Sequence, residues 1–162
     1  MGDFLCVFTD DVPLGWSADW AWGLPLIVST VTVHVIGLGL ISRTTLAGSN
    51  RSIRSHSIAT FIVVVGLTTL LVTSLHAVEA GIWAAAYRFL GALPDKRSAM
   101  LYSLNAITSY GHINLMLEDR WHLLGAMEAL NGWLLFGLST AFLFAVIQRI
   151  FPSATRPKHD EA

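Results

Sequence analysis

Apolar and polar positions divide the chain into three long apolar runs with polar segments between them. The first run, Leu24 to Ile41, holds 18 residues with His34 as its only ionisable group. At 1.5 Å per residue it extends about 27 Å, enough to cross a hydrocarbon core. Ser42 and Arg43 close it, and residues 42–57 form a polar connector with Arg43, Arg51, Arg54 and His56 but no acid. The second run starts near Ile58 and is free of charge through Leu75, and its helical pattern continues through His76, Glu79, Trp83 and Arg88 toward Phe89. Roughly 30 residues exceed what a bilayer needs, which predicts a tilted helix or a projecting outer end. Gly91 and Pro94 stop it. The third run covers Leu123 to Ile147, and its helix is expected to reach about Phe151. Pro152 then opens a polar tail, expected to be disordered.

Between the second and third runs lies a shorter element. Asp95 is a suitable N-cap for a helix from Lys96 to about Ile107, which is too short to span. Thr108-Ser109-Tyr110-Gly111 follows, and the chain returns through His112 to Arg120 before Trp121 anchors the third span at an interface. A polar turn between two membrane-length helices finds no water in lipid. Its backbone must line a cavity or be buried in protein, as in a re-entrant pore loop. The pattern predicts an all-α membrane protein with three transmembrane helices and a re-entrant helix and loop between the second and third. It divides into residues 1–57 (N-terminal segment, first span and connector), 58–151 (pore-loop domain) and 152–162 (tail).

Composition agrees with that class. The chain is 54% hydrophobic and 13% charged, where soluble domains carry about 25% charge. A net charge of −1 leaves no footprint for nucleic acid. Cys6 is the sole cysteine, so one chain forms neither a disulfide framework nor a thiolate cluster. The start has Asp3, Asp10, Asp11 and Asp19 where a signal peptide has a basic region, which predicts a retained N-terminus. Trp16, Trp20 and Trp22 suit an interfacial belt. Arginines at 43, 51 and 54 and the basic tail (Arg149, Arg156, Lys158) place connector and C-terminus in the cytoplasm and the acidic start outside. No internal repeat is visible, unlike transporters built from duplicated halves.

Helix, short re-entrant helix, Tyr-Gly, helix: this order resembles the pore-loop potassium-channel superfamily, and more narrowly its small bacterial ion-channel proteins. The resemblance covers about Ile58 to Arg149. Family filters read Thr-Val-Gly-Tyr-Gly-Asp, and this chain reads Ile107-Thr-Ser-Tyr-Gly-His112. Asn131-Gly132-Trp-Leu-Leu-Phe136-Gly-Leu-Ser-Thr140-Ala141 is similar to the family's inner-helix pattern. The resemblance implies a homotetramer in a bacterial inner (plasma) membrane that passes monovalent cations without enzymatic chemistry or a bound cofactor. It implies an ion filter at Thr108, Ser109, Tyr110, Gly111 and His112, a gating hinge at Gly132, and Phe136 and Thr140 near the cavity. Three departures bear on selectivity. Ser109 replaces a filter glycine, Ile107 a threonine hydroxyl and His112 an outer aspartate, so weak selectivity is expected.

Other residues carry alternatives. His76 and Glu79, three apart on one helical face, suit pH sensing or ion guidance at the outer mouth, or a satisfied polar pair. Glu128 is an intramembrane carboxylate, either a brace behind the filter or an ion site, with Arg88, Asn105 and His112 as reachable partners. A non-conducting channel-like subunit or scaffold is the alternative from another class. A haem-binding electron carrier, ligated by His34 and His76, is a further alternative. Spacing places His34 about 15 Å below the outer surface and His76 near it, so shared ligation would need a shift of roughly two turns.

Overall fold

The computed structural model describes residues 14–52, 58–111 and 115–150. Within them the chain forms α1 (Leu14–Ser52), α2 (Ile58–Phe89), α3 (Lys96–Ile107) and α4 (His122–Ile150), with a 3-10 turn, Asp119–Trp121, leading into α4. No strand occurs among the described residues. Three stretches are long and apolar enough to cross a membrane, Ser17–Thr44, Phe61–Phe89 and Asp119–Ile150. α1, α2 and α4 pack against one another, and α3 packs against α2 and α4. Cys6 and the tail from Pro152 lie outside the described residues.

The helices follow the expected order, but α1 is much longer than its apolar run. It starts at Leu14 and takes in Asp19, Trp20 and Trp22. It also runs through the expected connector to Ser52. Polar residues do not break a helix. Pro25 lies inside α1, where it removes one backbone donor and sets its ring against the preceding turn without ending the helix. The apolar run marked only the apolar part of this helix, which continues through the Ser-, Thr- and Gly-containing stretch Ser42–Ser52 against its intrinsic propensity.

Two local motifs end α2 and begin α3. At the end of α2, Ala92 N–H donates to the Tyr87 carbonyl (2.9 Å) and Gly91 N–H to that of Arg88 (3.3 Å). This is a Schellman cap, and it needs the left-handed φ of 69° that Gly91 adopts. Arg88 donates to the Leu93 carbonyl at 2.6 Å, holding the following turn. Asp95 caps α3 as expected, its carboxylate accepting from Ser98 N–H at 2.9 Å.

Burial is distributed as lipid-facing proteins distribute it. Val28, Ile62, Val63, Leu70 and Phe144 are exposed, while Asp19, Thr30, His34, Glu79, Ser103, Glu128 and Asn131 are buried. Lipid is as apolar as leucine, so apolar burial drives little helix association. Small residues and interhelical hydrogen bonds hold such helices together. Gly37 gives Leu75 room between α1 and α2, and Gly23 does so for Met127 between α1 and α4. A cluster of Trp83, Tyr87, Leu93, Tyr102, Trp121 and Leu124 fills the end of the bundle that carries α3.

Candidate functional site

Two sets of polar residues define the interior, and the tip of α3 forms a third feature. At that tip, Ser109 N–H donates to the Ala106 carbonyl (2.8 Å) and Tyr110 N–H to that of Asn105 (2.9 Å). This is again a Schellman cap, here with serine where glycine is usual. Ser109 accordingly has φ 54°, a left-handed conformation that glycine enters without steric cost. Gly111 follows with φ 90°. Thr108, Ser109, Tyr110 and Gly111 are all exposed in the single chain. Tyr102, Asn105, Ser109, Gly111 and Ala129 line an open cleft of about 320 Å³ beside α4. His112 lies outside the described residues.

The Ile107 carbonyl packs against Gly132, where a Cβ would overlap it. Gly132 is about 15 Å along α4 from His122 at 1.5 Å per residue, so α3 ends against the middle of a membrane-length helix. Close backbone approach accounts for glycine at this position. Phe136 and Thr140 are exposed, and the Thr140 hydroxyl donates to its own helix at the Phe136 carbonyl (2.9 Å).

Glu128 is fully buried. Its partners are not Arg88 or Asn105: the Tyr87 hydroxyl donates to Oε2 at 2.6 Å, and the Ser103 hydroxyl lies against Oε1 and the Ala80 carbonyl. The carboxylate thus ties α2, α3 and α4 together behind the α3 tip. One turn further along α4, Asn131 donates to the Thr30 hydroxyl on α1 at 2.8 Å.

His76 and Glu79 belong to a larger group than a pair. His34 Nδ1 is 2.7 Å from Glu79 Oε1, and His76 Nδ1 is 3.3 Å from Glu79 Oε2 without hydrogen-bond geometry. Both imidazole Nε2 atoms lie 3.0 Å from Ser139 Oγ. His34, Glu79 and Ser139 are buried and His76 is partly exposed. The two histidines do not sit at different depths, as spacing had suggested. Their ring centroids are 5.0 Å apart. The depth estimate took Leu24 and Leu75 as the outer ends of the spans, whereas the helices run on to Leu14 and Phe89. A 5.0 Å separation leaves no room for a porphyrin between the rings.

Sequence reasoning missed Ser103, Tyr87 and Thr30, and it placed Asn131 and Ser139 in the inner-helix motif without their buried partners. A signal was present: Thr30 and His34 are one turn apart, and Glu128, Asn131 and Ser139 share one face of α4. The fold and interior define an all-helical protein with three helices of membrane-crossing length around a polar core. Comparisons with protein-family models, curated proteins and solved structures find no match for this chain.

Proposed function

We propose that the protein is a tetrameric pore-loop cation channel, passing monovalent cations through a path lined by the loop after α3. The carrying observation is that α3 ends against Gly132, in the middle of α4, with the exposed tip Thr108–Gly111 beyond it. At that depth an exposed polar backbone has no solvent in lipid, so it calls for a water-filled cavity or neighbouring protein. A ring of copies around the tips supplies both. The α3 C-terminus turns its negative dipole end toward this region, which favours a cation. α3 is then a re-entrant helix, with the acidic N-terminus outside and the arginine-rich connector in the cytoplasm. One tip per chain and the resemblance to pore-loop channels favour four copies.

Ser109 in the left-handed region and Ile107 without a hydroxyl give an irregular ring with fewer oxygen ligands than a potassium filter. Weak discrimination between potassium and sodium follows. Protein reconstituted into liposomes under matched gradients is expected to pass both ions. The triple change Ile107→Thr, Ser109→Gly, His112→Asp should shift the ratio toward potassium. Absence of flux for either ion through either protein would replace the channel with a non-conducting membrane subunit.

A further inference from the structure

We propose that His34, His76 and Glu79 bind a divalent first-row transition-metal ion, with Ser139 positioning the two imidazoles. The ligand atoms of the three residues come from two helices and lie within 4.8 Å of one another. In a tetrahedral zinc site, bonds of about 2.0–2.1 Å put neighbouring ligand atoms about 3.3 Å apart. Glu79 presents Oε2 to His76 Nδ1 at 3.3 Å and Oε1 to His34 Nδ1 at 2.7 Å, so a small rotation of the carboxylate would bring one oxygen and both nitrogens around an ion.

Two features support a metal ion at this cluster. Glu79 Oε2 is buried and makes no hydrogen bond, although it faces His76 Nδ1. A buried carboxylate oxygen and a ring nitrogen 3.3 Å apart, outside hydrogen-bond geometry, leave a place for a cation. The second feature is Ser139, whose Oγ lies 3.0 Å from both Nε2 atoms. Its hydroxyl has one proton, so at least one of the two imidazoles presents an Nε2–H to it. If both imidazoles bind metal through Nδ1, each keeps its Nε2–H, and both donate to the two lone pairs of Ser139 Oγ. Metal-bound histidines are ordinarily held in this way by an acceptor on their other nitrogen.

Two imidazoles and one carboxylate suit zinc, iron or copper better than magnesium or calcium, which prefer all-oxygen sites. Three protein ligands leave a fourth position open, and the partly exposed His76 gives the ion a route in. The four residues lie about 15 Å or more from the ends of their apolar stretches, at 1.5 Å per residue. A cation there also offsets the cost of holding a carboxylate in the membrane interior.

The test uses the full chain, free of any affinity tag, stripped with a chelator and titrated with Zn²⁺ in detergent. Co²⁺ provides a spectroscopic record of ligand geometry. The expected result is saturable uptake of one ion per chain at micromolar free zinc, with a four-coordinate Co²⁺ spectrum. His34→Gln, His76→Gln and Glu79→Gln should each abolish that uptake, while His122→Gln should leave it unchanged. Ser139→Ala retains all three ligands and should weaken binding about 10–100-fold. Wild-type protein that takes up no zinc overturns the proposal, whatever the variants do, and leaves the cluster as a hydrogen-bonded polar core. Uptake that survives in all three ligand variants, or an affinity unmoved by Ser139→Ala, overturns it equally.

Discussion

At the scale of single residues, close approach and polar pairing decide what each position tolerates. A methyl group at Gly132 would overlap the Ile107 carbonyl, which is backbone and cannot swing aside. Gly132→Ala is expected to cost about 1–3 kcal/mol, the range for overpacking, and to loosen the α3 tip. Thermal unfolding in detergent, with amide exchange at Ile107, would register both effects. Gly137 faces open space in the single chain. Gly137→Ala should therefore be neutral or stabilise by up to about 1 kcal/mol, as helix propensity dictates. Equal losses at the two glycines would sink the close-approach reading. The Thr30–Asn131 pair makes a second test. Thr30→Val removes the acceptor at 2.8 Å and leaves the Asn131 amide N–H groups unpaired, at a cost of about 1 kcal/mol. The double change Thr30→Val, Asn131→Leu should recover most of that, since no orphan remains.

At the scale of elements, α3 is held at both ends by hydrogen bonds that can be read separately. Asp95 caps its start, and the side-chain and backbone hydrogen bonds of Ser98 hold the Asp95 carboxyl below its ordinary value of 3.8. A depressed carboxyl contributes stability that is fully present above its unfolded value and is lost as pH falls through its folded value. The first turn of α3 should therefore loosen below pH 3.8, seen as faster exchange at the Ser98 amide relative to the helix interior. Asp95→Asn also caps but does not titrate, so the acid step should vanish in that variant. An acid step of unchanged size there would assign it to another group. The other end is closed by Ser109 in a left-handed conformation. That conformation has a local cause in the helix cap.

For the whole molecule, the exposed face of α4 and the α3 tip set the main question. Leu130, Trp133, Leu134 and Phe136 are exposed on α4, and Tyr110 is exposed at the α3 tip. If tips meet around a common axis, crosslinking in native membranes should build a ladder that ends at four. A ladder ending at two or three would remove a ring of four loops, and the cation path proposed here with it. The polar interior lies behind that face. Glu128 joins α2, α3 and α4 by way of Tyr87 and Ser103, while His34, Glu79 and Ser139 join α1, α2 and α4.

Length and apolar content alone determined the class, three membrane-length helices and a short fourth. Runs such as Ile58 to Leu75 can be satisfied in few other ways. Local chemistry was equally legible: Asp95 caps α3, and Gly91 ends α2 in a left-handed turn. These outcomes depend on residues a few positions apart. The extent of α1 was not legible, because a hydrophobic run reports where lipid is and not where the helix stops. Partner choice in the interior was still further out of reach. His34 and Glu79 are 45 residues apart in sequence, and His34 and Ser139 are 105 apart. Helix register and tilt decide whether such residues meet, and a shift of one turn along any helix would separate them by 5.4 Å. Only the packing of α1, α2 and α4 turned scattered polar residues into one buried cluster.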